Sequence, residues 1–329
     1  MQNRQFETKA TIEAGLLSAL LLILMLTTAY IPFLSFLNIL LPIPITLLYL
    51  RHNYKVGISA VVVSGILVAM AYDPVSALGT SITYGLTGLT LGYCIKKEMK
   101  ASKTICFMAL ASLVATLANI LILGLLATPG GFAGLGRELN STITLMNNMM
   151  AEIKEAYLKL GLSNQQKELA NQMFPTITME MVKSLLIASL VFGSFISAVL
   201  NYFIARAILK KLRYELVEVK PFSELYMSEK IGFVIAVVAI IAMLLQGAKI
   251  DLGKYIIMSV ISLINLIFII EGLAVATFFL KNKFKLSNPV VVLIFFFTIT
   301  PFQGFYQIIG LVDIVMDFRK VNPNRLFKK

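Results

Sequence analysis

Residues Ala10–Tyr30 read ATIEAGLLSALLLILMLTTAY, a run interrupted by one charge, Glu13. A bilayer's hydrocarbon core is about 30 Å thick, and a helix needs roughly 20 apolar residues to cross it. The run is therefore long enough to span. Arg4 and Lys9 stand before it as they would in a signal peptide. A second apolar stretch follows at once, however, so the first is expected to stay as a membrane helix.

Working outward, the same test finds seven more spans. They are Ile31–Leu50, punctuated by Pro32, Pro42 and Pro44, then Val56–Tyr72, Val75–Ile95, Thr104–Ala127, Met181–Ile208, Ile231–Gln246 and Tyr255–Leu280. The last apolar block, Asn288–Phe318, contains Thr300-Pro301-Phe302-Gln303-Gly304. Pro301 removes a helical donor and clashes with the preceding turn. One long tilted helix and two short arms are both open. The fold expected is all-α: a polytopic membrane helix bundle of about eight full spans and a broken C-terminal hairpin.

Composition agrees. Of 329 residues, 58% are hydrophobic and 14% charged, against about 45–50% and about 25% in ordinary globular domains. Mean hydropathy is +0.84. A soluble enzyme, a secreted disulfide scaffold and a disordered chain are excluded. The formal net charge is +12, but the basic residues sit in short links between apolar runs. They read as topogenic charge, so no nucleic-acid partner is expected.

Charge also sets orientation. Basic clusters fall at Arg4/Lys9, Arg51/His52/Lys55, Lys96/Lys97/Lys100/Lys103, Arg206/Lys210/Lys211/Arg213 and Lys281/Lys283/Lys285. The alternate links are nearly uncharged, acidic at Asp73, or balanced. The N-terminus is thus expected in the cytoplasm. The tail, with Arg319, Lys320, Arg325, Lys328 and Lys329, is expected there too, which requires an even number of crossings and favours the broken hairpin. Cys94 and Cys106 flank a link on the reducing side, so no disulfide is expected.

The external link 128–178 has its own pattern. Leu139, Ile143, Met146, Met150, Ile153, Tyr157 and Leu160 alternate spacings of four and three, an amphipathic helix with a narrow apolar seam. Ser163, with Gln166 placed for a capping box, starts a second short helix. The pair either rests on the bundle and headgroups or forms a lid over an outward pocket, hinged at Gly130, Gly131, Gly134 and Gly136.

Candidate site residues are few. Ala14/Ser18 and Gly15/Ala19 are two small-xxx-small pairs on the first span, suited to close packing within the chain or to docking a separate subunit. Gly85, Gly88 and Gly92 on the fourth span read as packing within the chain. Glu271 lies deep in the eighth span, where an ionisable residue is expensive and functional by default. It is expected to be protonated or to meet a basic or amide partner. Asn38, Asn119, Asn201 and Asn265 are further intramembrane polar candidates. Asp313 and Asp317 share a helical face. They are a weak magnesium pair for an intramembrane transferase, with Arg319 and Lys320 placed to neutralise them. The single histidine, His52, excludes sites needing two imidazoles, and no Walker A motif, voltage-sensor repeat, TVGYG filter or catalytic constellation occurs. No cofactor and no enzymatic activity are expected.

The first six spans resemble the substrate-binding S component of energy-coupling-factor (ECF) transporters. The residues behind the likeness are Ala14-Gly15-Leu16-Leu17-Ser18-Ala19, Leu41-Pro42-Ile43-Pro44 before Tyr54-Lys55-Val56-Gly57, and the helix from Tyr84-Gly85-Leu86-Thr87-Gly88 to Lys96-Lys97. The whole chain is similar to the YybS-like bacterial membrane family, whose acidic-aromatic-arginine ending appears as Asp313-Ile314-Val315-Met316-Asp317-Phe318-Arg319-Lys320. The S-component likeness implies a six-helix bundle over residues 1–211, followed by a C-terminal extension over 212–329. It also implies an outward pocket for a small molecule, docking of a transmembrane subunit on Ala14 and Ser18, and ATPases supplied by other chains. The expected function is a solute-binding or transport-related subunit. The alternatives are a membrane scaffold that recruits other proteins and, more distantly, the transferase.

Overall fold

The computed structural model describes residues 2–159, 176–214, 216–218, 221–227, 229–248 and 250–321. The expected short helix at Ser163–Gln166 lies outside them. Among the described residues there is no strand. Eleven α-helices follow one another: α1 (Gln2–Tyr30), α2 (Pro42–Arg51), α3 (Tyr54–Ala71), α4 (Pro74–Lys96), α5 (Ala101–Ile122), α6 (Gly131–Leu158), α7 (Met179–Lys211), α8 (Glu229–Gly247), α9 (Asp251–Asn282), α10 (Asn288–Thr298) and α11 (Gln303–Met316). This is an all-α, polytopic membrane helix bundle. In α1 and α7 only 17% of the most apolar stretch is buried, so most of that surface faces lipid.

Among the described residues, six helices are long and apolar enough to cross a membrane, or seven if the bent C-terminal pair is one span. The eight expected full spans are all helical, but two fall short. The apolar part of α8, Gly232–Gly247, is too short. The other is α4, whose polarity is explained by its surroundings. It packs against α2, α3 and α5, so little of it needs to face hydrocarbon. Each hydroxyl of Thr80, Thr83, Thr87 and Thr90 donates to the carbonyl four residues earlier at 2.7–2.8 Å, which hides its proton.

Glycines let α4 sit at the centre. A Cβ on Gly88 would lie 2.7 Å from the Pro42 carbonyl oxygen, and one on Gly92 would lie 2.7 Å from Tyr49 Cβ. The Thr46 hydroxyl reaches the carbonyls of Pro42 and Gly88 at 2.9 Å each. The small face of the fourth span is therefore internal packing, as expected. The second span departs from a plain helix. Its first half is a 3-10 helix, Pro32–Leu40, and α2 begins only at Pro42. A proline at each start suits a first turn, where no N–H is required.

The chain forms two compact units. The first comprises Met1–Met179 with Leu190–Glu218, and the second Glu180–Ser189 with Val219–Lys329. In the first, a core of Leu21, Met25, Leu41, Ile45, Val68 and Ala77 joins α1, the 3-10 helix, α2, α3 and α4. A π-helical turn, Leu123–Ala127, closes α5, and α6 packs on it. Gly130 and Gly131 take φ of +87° and +63° between the two, a turn that glycine adopts without cost.

In the second unit, α9 packs against α8 and α11. The α9–α11 crossing is very close. A Cβ on Gly272 would strike the Tyr306 carbonyl, and one on Gly310 the Phe268 carbonyl. α10 and α11 are bent by 118° at the Pro301 break, the broken hairpin expected. Their 11 and 14 residues give arms of about 16 and 21 Å, each shorter than the hydrocarbon core. Across the tip, Thr298 Oγ1 and the Tyr306 hydroxyl lie 2.7 Å apart, with the Phe295 and Tyr306 rings edge to face.

Candidate functional site

Where α1 ends and α4 begins, the first unit is hollow. The C-terminal turns of α1 and α3, the 3-10 helix and the first turns of α4 surround a cavity of about 320 Å³. Met25, Ala29 and Val68 give it an apolar side, and Thr28, Ser35, Asn38, Tyr72, Ser76, Thr80 and Tyr84 line the rest. Met25 and Val68 belong to the hydrophobic core as well, so the cavity floor is the core's upper surface. At its rim Tyr30 donates to the Ala71 carbonyl at 2.7 Å and stacks edge to face on Tyr72. This bond ties the end of α1 to the end of α3.

The order of elements explains the hollow. Pro32 and the 3-10 helix carry the chain sideways before α2 starts, so the backbone skirts the space between α1 and α4. Asp73-Pro74 then opens α4 with a tight cap: the Asp73 carboxylate accepts the Ser76 N–H at 2.7 Å. The backbone N–H and hydroxyl of Ser76 together hold the exposed Asp73 carboxyl below its ordinary range.

Asn38 is the sequence candidate that reaches this cavity. Its amide oxygen is buried and meets no donor among the described residues. The other asparagines do different work. Asn119 donates to Thr83 Oγ1 at 3.2 Å, joining α5 to α4 where Gly79 leaves it room. Asn201 is buried and donates to the Ser197 carbonyl at 2.8 Å, one turn back on α7. Asn265 is exposed on α9. The four are not brought together.

The small residues of α1 divide by face. Ser18 is buried, and its carbonyl accepts the Ser64 hydroxyl of α3 at 3.1 Å. Ala14 is half-buried, whereas Gly15 and Ala19 are exposed, with open space at Gly15. One residue before Ala14, Glu13 pairs with Arg51 and lies 2.9 Å from His52 Nε2. Among the described residues, then, the open pair is Gly15/Ala19, and Ser18 serves contact between α1 and α3.

Helix α6 extends the amphipathic pattern back to Gly131, but it lines no part of the cavity. Asn147 clasps the peptide of Ile177, donating to its carbonyl at 2.9 Å and accepting its N–H at 2.8 Å. Much of the apolar seam, including Leu139, Met146, Ile153 and Tyr157, is exposed. The lid expectation fails at this cavity, because α6 packs on the π-helical turn after α5 instead.

The second unit holds a buried ion cluster. Arg319 donates through Nη2 to Glu271 at 2.5 Å, through Nε to Asp313 at 2.9 Å and through Nη1 to the Ser223 carbonyl at 2.8 Å. The side chains of Arg319, Glu271 and Asp313 are 0–3% exposed, so water scarcely reaches them. The Met227 N–H also bonds Glu271. Asp317 takes φ +48° as α11 ends, a conformation that aspartate tolerates. That reversal returns Arg319 onto Asp313, while Asp317 itself accepts the Val321 N–H at 2.9 Å.

Glu271 thus has the basic partner expected of it. Of the weak magnesium pair Asp313/Asp317, Asp313 is bound to Arg319 through Oδ2 while its Oδ1 meets no donor among the described residues, and Asp317 closes a turn. Sequence reasoning did not foresee that Glu271 and Asp313 share one guanidinium, nor that Ser223 joins them. The only signal was that the two acids and Arg319 all lie in apolar surroundings. Gly272 and Gly310, which allow the crossing, passed without notice because they belong to different helices.

A family described as "Predicted membrane protein (DUF2232)" matches residues 19–314. Bacillus subtilis (strain 168) has a relative, named Uncharacterized protein YybS, that is 21% identical over 324 residues, covering 95% of this chain and 98% of its own length. No solved structure matches.

Proposed function

The chain belongs to the DUF2232 family of predicted membrane proteins, and from that premise we propose that it is a multipass subunit binding a small solute in the α1/α3/α4 cavity. The observation behind this reading is the cavity itself: about 320 Å³ of space with an apolar floor and polar walls. Pockets for small molecules combine such a lining with a few polar groups that fix orientation. On the charge-based orientation the cavity opens away from the cytoplasm, at the end of α1 remote from Arg4 and Lys9.

The ion cluster supports that orientation. Ser223 lies in the link after α7 and Arg319 in the basic tail, and their hydrogen bond favours placing link and tail on one side of the membrane. We place that side in the cytoplasm of a bacterial cell, with the N-terminus. The resemblance of the first six spans to ECF S components favours a transport-related role in which other chains supply a transmembrane subunit and ATPases. Gly15 and Ala19 offer such a subunit an open face. The chain itself is read as a binding subunit, not an enzyme.

The test is a thermal-shift screen of polar metabolites on the purified protein, followed by hydrogen exchange with any compound that stabilises. Protection is expected at residues 25–38 and 68–84, and Ala29→Phe should abolish it. A stabilising compound that protects only regions away from the cavity, or no stabilising compound at all, overturns the reading. The scaffold alternative survives in that case if partners captured by wild type are lost on Gly15→Leu.

A further inference from the structure

The solute's chemistry can be read from where the cavity's protons already go. Thr28 donates its hydroxyl proton to the Met25 carbonyl at 3.1 Å, and Thr80 donates to the Ser76 carbonyl at 2.7 Å. Ser76 gives its hydroxyl to Asp73. A hydroxyl whose proton is committed can offer only its lone pairs to a neighbour. The Asn38 amide oxygen also lacks a donor, but it is sealed inside the wall and presents no surface to the cavity. Three wall hydroxyls, one on α1 and two on α4, therefore present acceptors. The phenols of Tyr72 and Tyr84 can take either role.

Charge is the second constraint. Among the described residues no lysine, arginine, histidine, aspartate or glutamate lines the cavity. An anion would meet lone pairs and no counter-charge, with Asp73 capping α4 beside it. A full cation would be taken from water with its one nearby carboxylate, Asp73, outside the lining and already committed to the first turn of α4, which is costly. The space equals the volume of about ten waters, enough for a compact molecule with an apolar side toward Met25, Ala29 and Val68.

We propose that this cavity selects an uncharged solute that donates N–H or O–H hydrogen bonds to Thr28, Ser76 and Thr80 and rests an apolar face on Met25, Ala29 and Val68. This rests on the solute-binding reading and adds the class of solute.

The experiment uses matched probes on the full-length protein: cyclohexanecarboxamide, its N,N-dimethyl amide and cyclohexanecarboxylate at millimolar concentration, with the equivalent benzyl and butyl sets. The primary amides should raise the unfolding midpoint by 2 °C or more, and the dimethyl amides and carboxylates by less than a third of that. Thr28→Val and Thr80→Val should each weaken the amide response at least fivefold while keeping wild-type helical content. Two variants guard against one failing to fold. Equal stabilisation by all three members, or preference for the carboxylate, overturns the donor assignment and leaves a solute site standing. No response to any set overturns both.

Discussion

The two units bury polar groups in opposite ways. Around Asn38 the first unit leaves space, and neutral groups turn lone pairs toward it. Around Arg319 the second unit leaves almost none, and three charges close on one another with Ser223 completing the guanidinium. In the open cluster, removing a group should cost little, because nothing depends on it until a ligand arrives. In the closed cluster each partner has been taken out of water and has only its neighbours. A hollow polar site is suited to a visitor, and a filled one to holding segments together.

The contrast breaks most sharply at Arg319. Arg319→Met leaves Glu271 and Asp313 buried without a cation and should cost about 3–5 kcal/mol, measured by denaturant unfolding in detergent. Arg319→Lys should recover only part, since one ammonium cannot reproduce the fork. An unaffected Arg319→Met protein would show that the cluster is solvated and that the contrast is wrong. Next is the crossing that seals the cluster. Gly310→Ala drives a methyl against the Phe268 carbonyl and should cost about 1–3 kcal/mol. The open unit should respond with the opposite sign: Ala29→Phe fills cavity space and should stabilise by about 0.5–2 kcal/mol while removing any solute response. The smallest effect is at the mouth. Because the Asp73 carboxyl is held low by Ser76, its cap is complete above the unfolded value of about 3.9. It is lost as pH falls through the lower folded value. A slight drop in thermal midpoint below about pH 4 should flatten in Asp73→Asn, which caps without titrating.

Although α1 begins eight residues before its run, α6 eight residues before its seam, and half of the second span is a 3-10 helix, hydrophobic runs located the apolar stretch of each span. They could do so because burial in lipid acts on length and composition, which are local properties. Pro301 marked the hairpin break for the same reason: a missing donor is local. The interior was harder to read. Thr80 looks like a polar blemish on a span until α2, α3 and α5 are seen around it. Ser18 and Gly15 are three residues apart, yet one touches Ser64 and the other nothing, and only the neighbouring helix decides which. The Glu271–Arg319–Ser223 contacts join three distant segments, and no spacing rule connects them. The seam on α6 was correctly periodic, but periodicity says that a face is apolar without saying what it covers.

The bond between Glu271 and Arg319 joins residues 48 apart. At 5–20 residues per second, the ribosome needs about 2–10 s to make the second after the first. Glu271 therefore leaves the ribosome before its base does, and until Arg319 follows, the acid of α9 has no cation in this cluster.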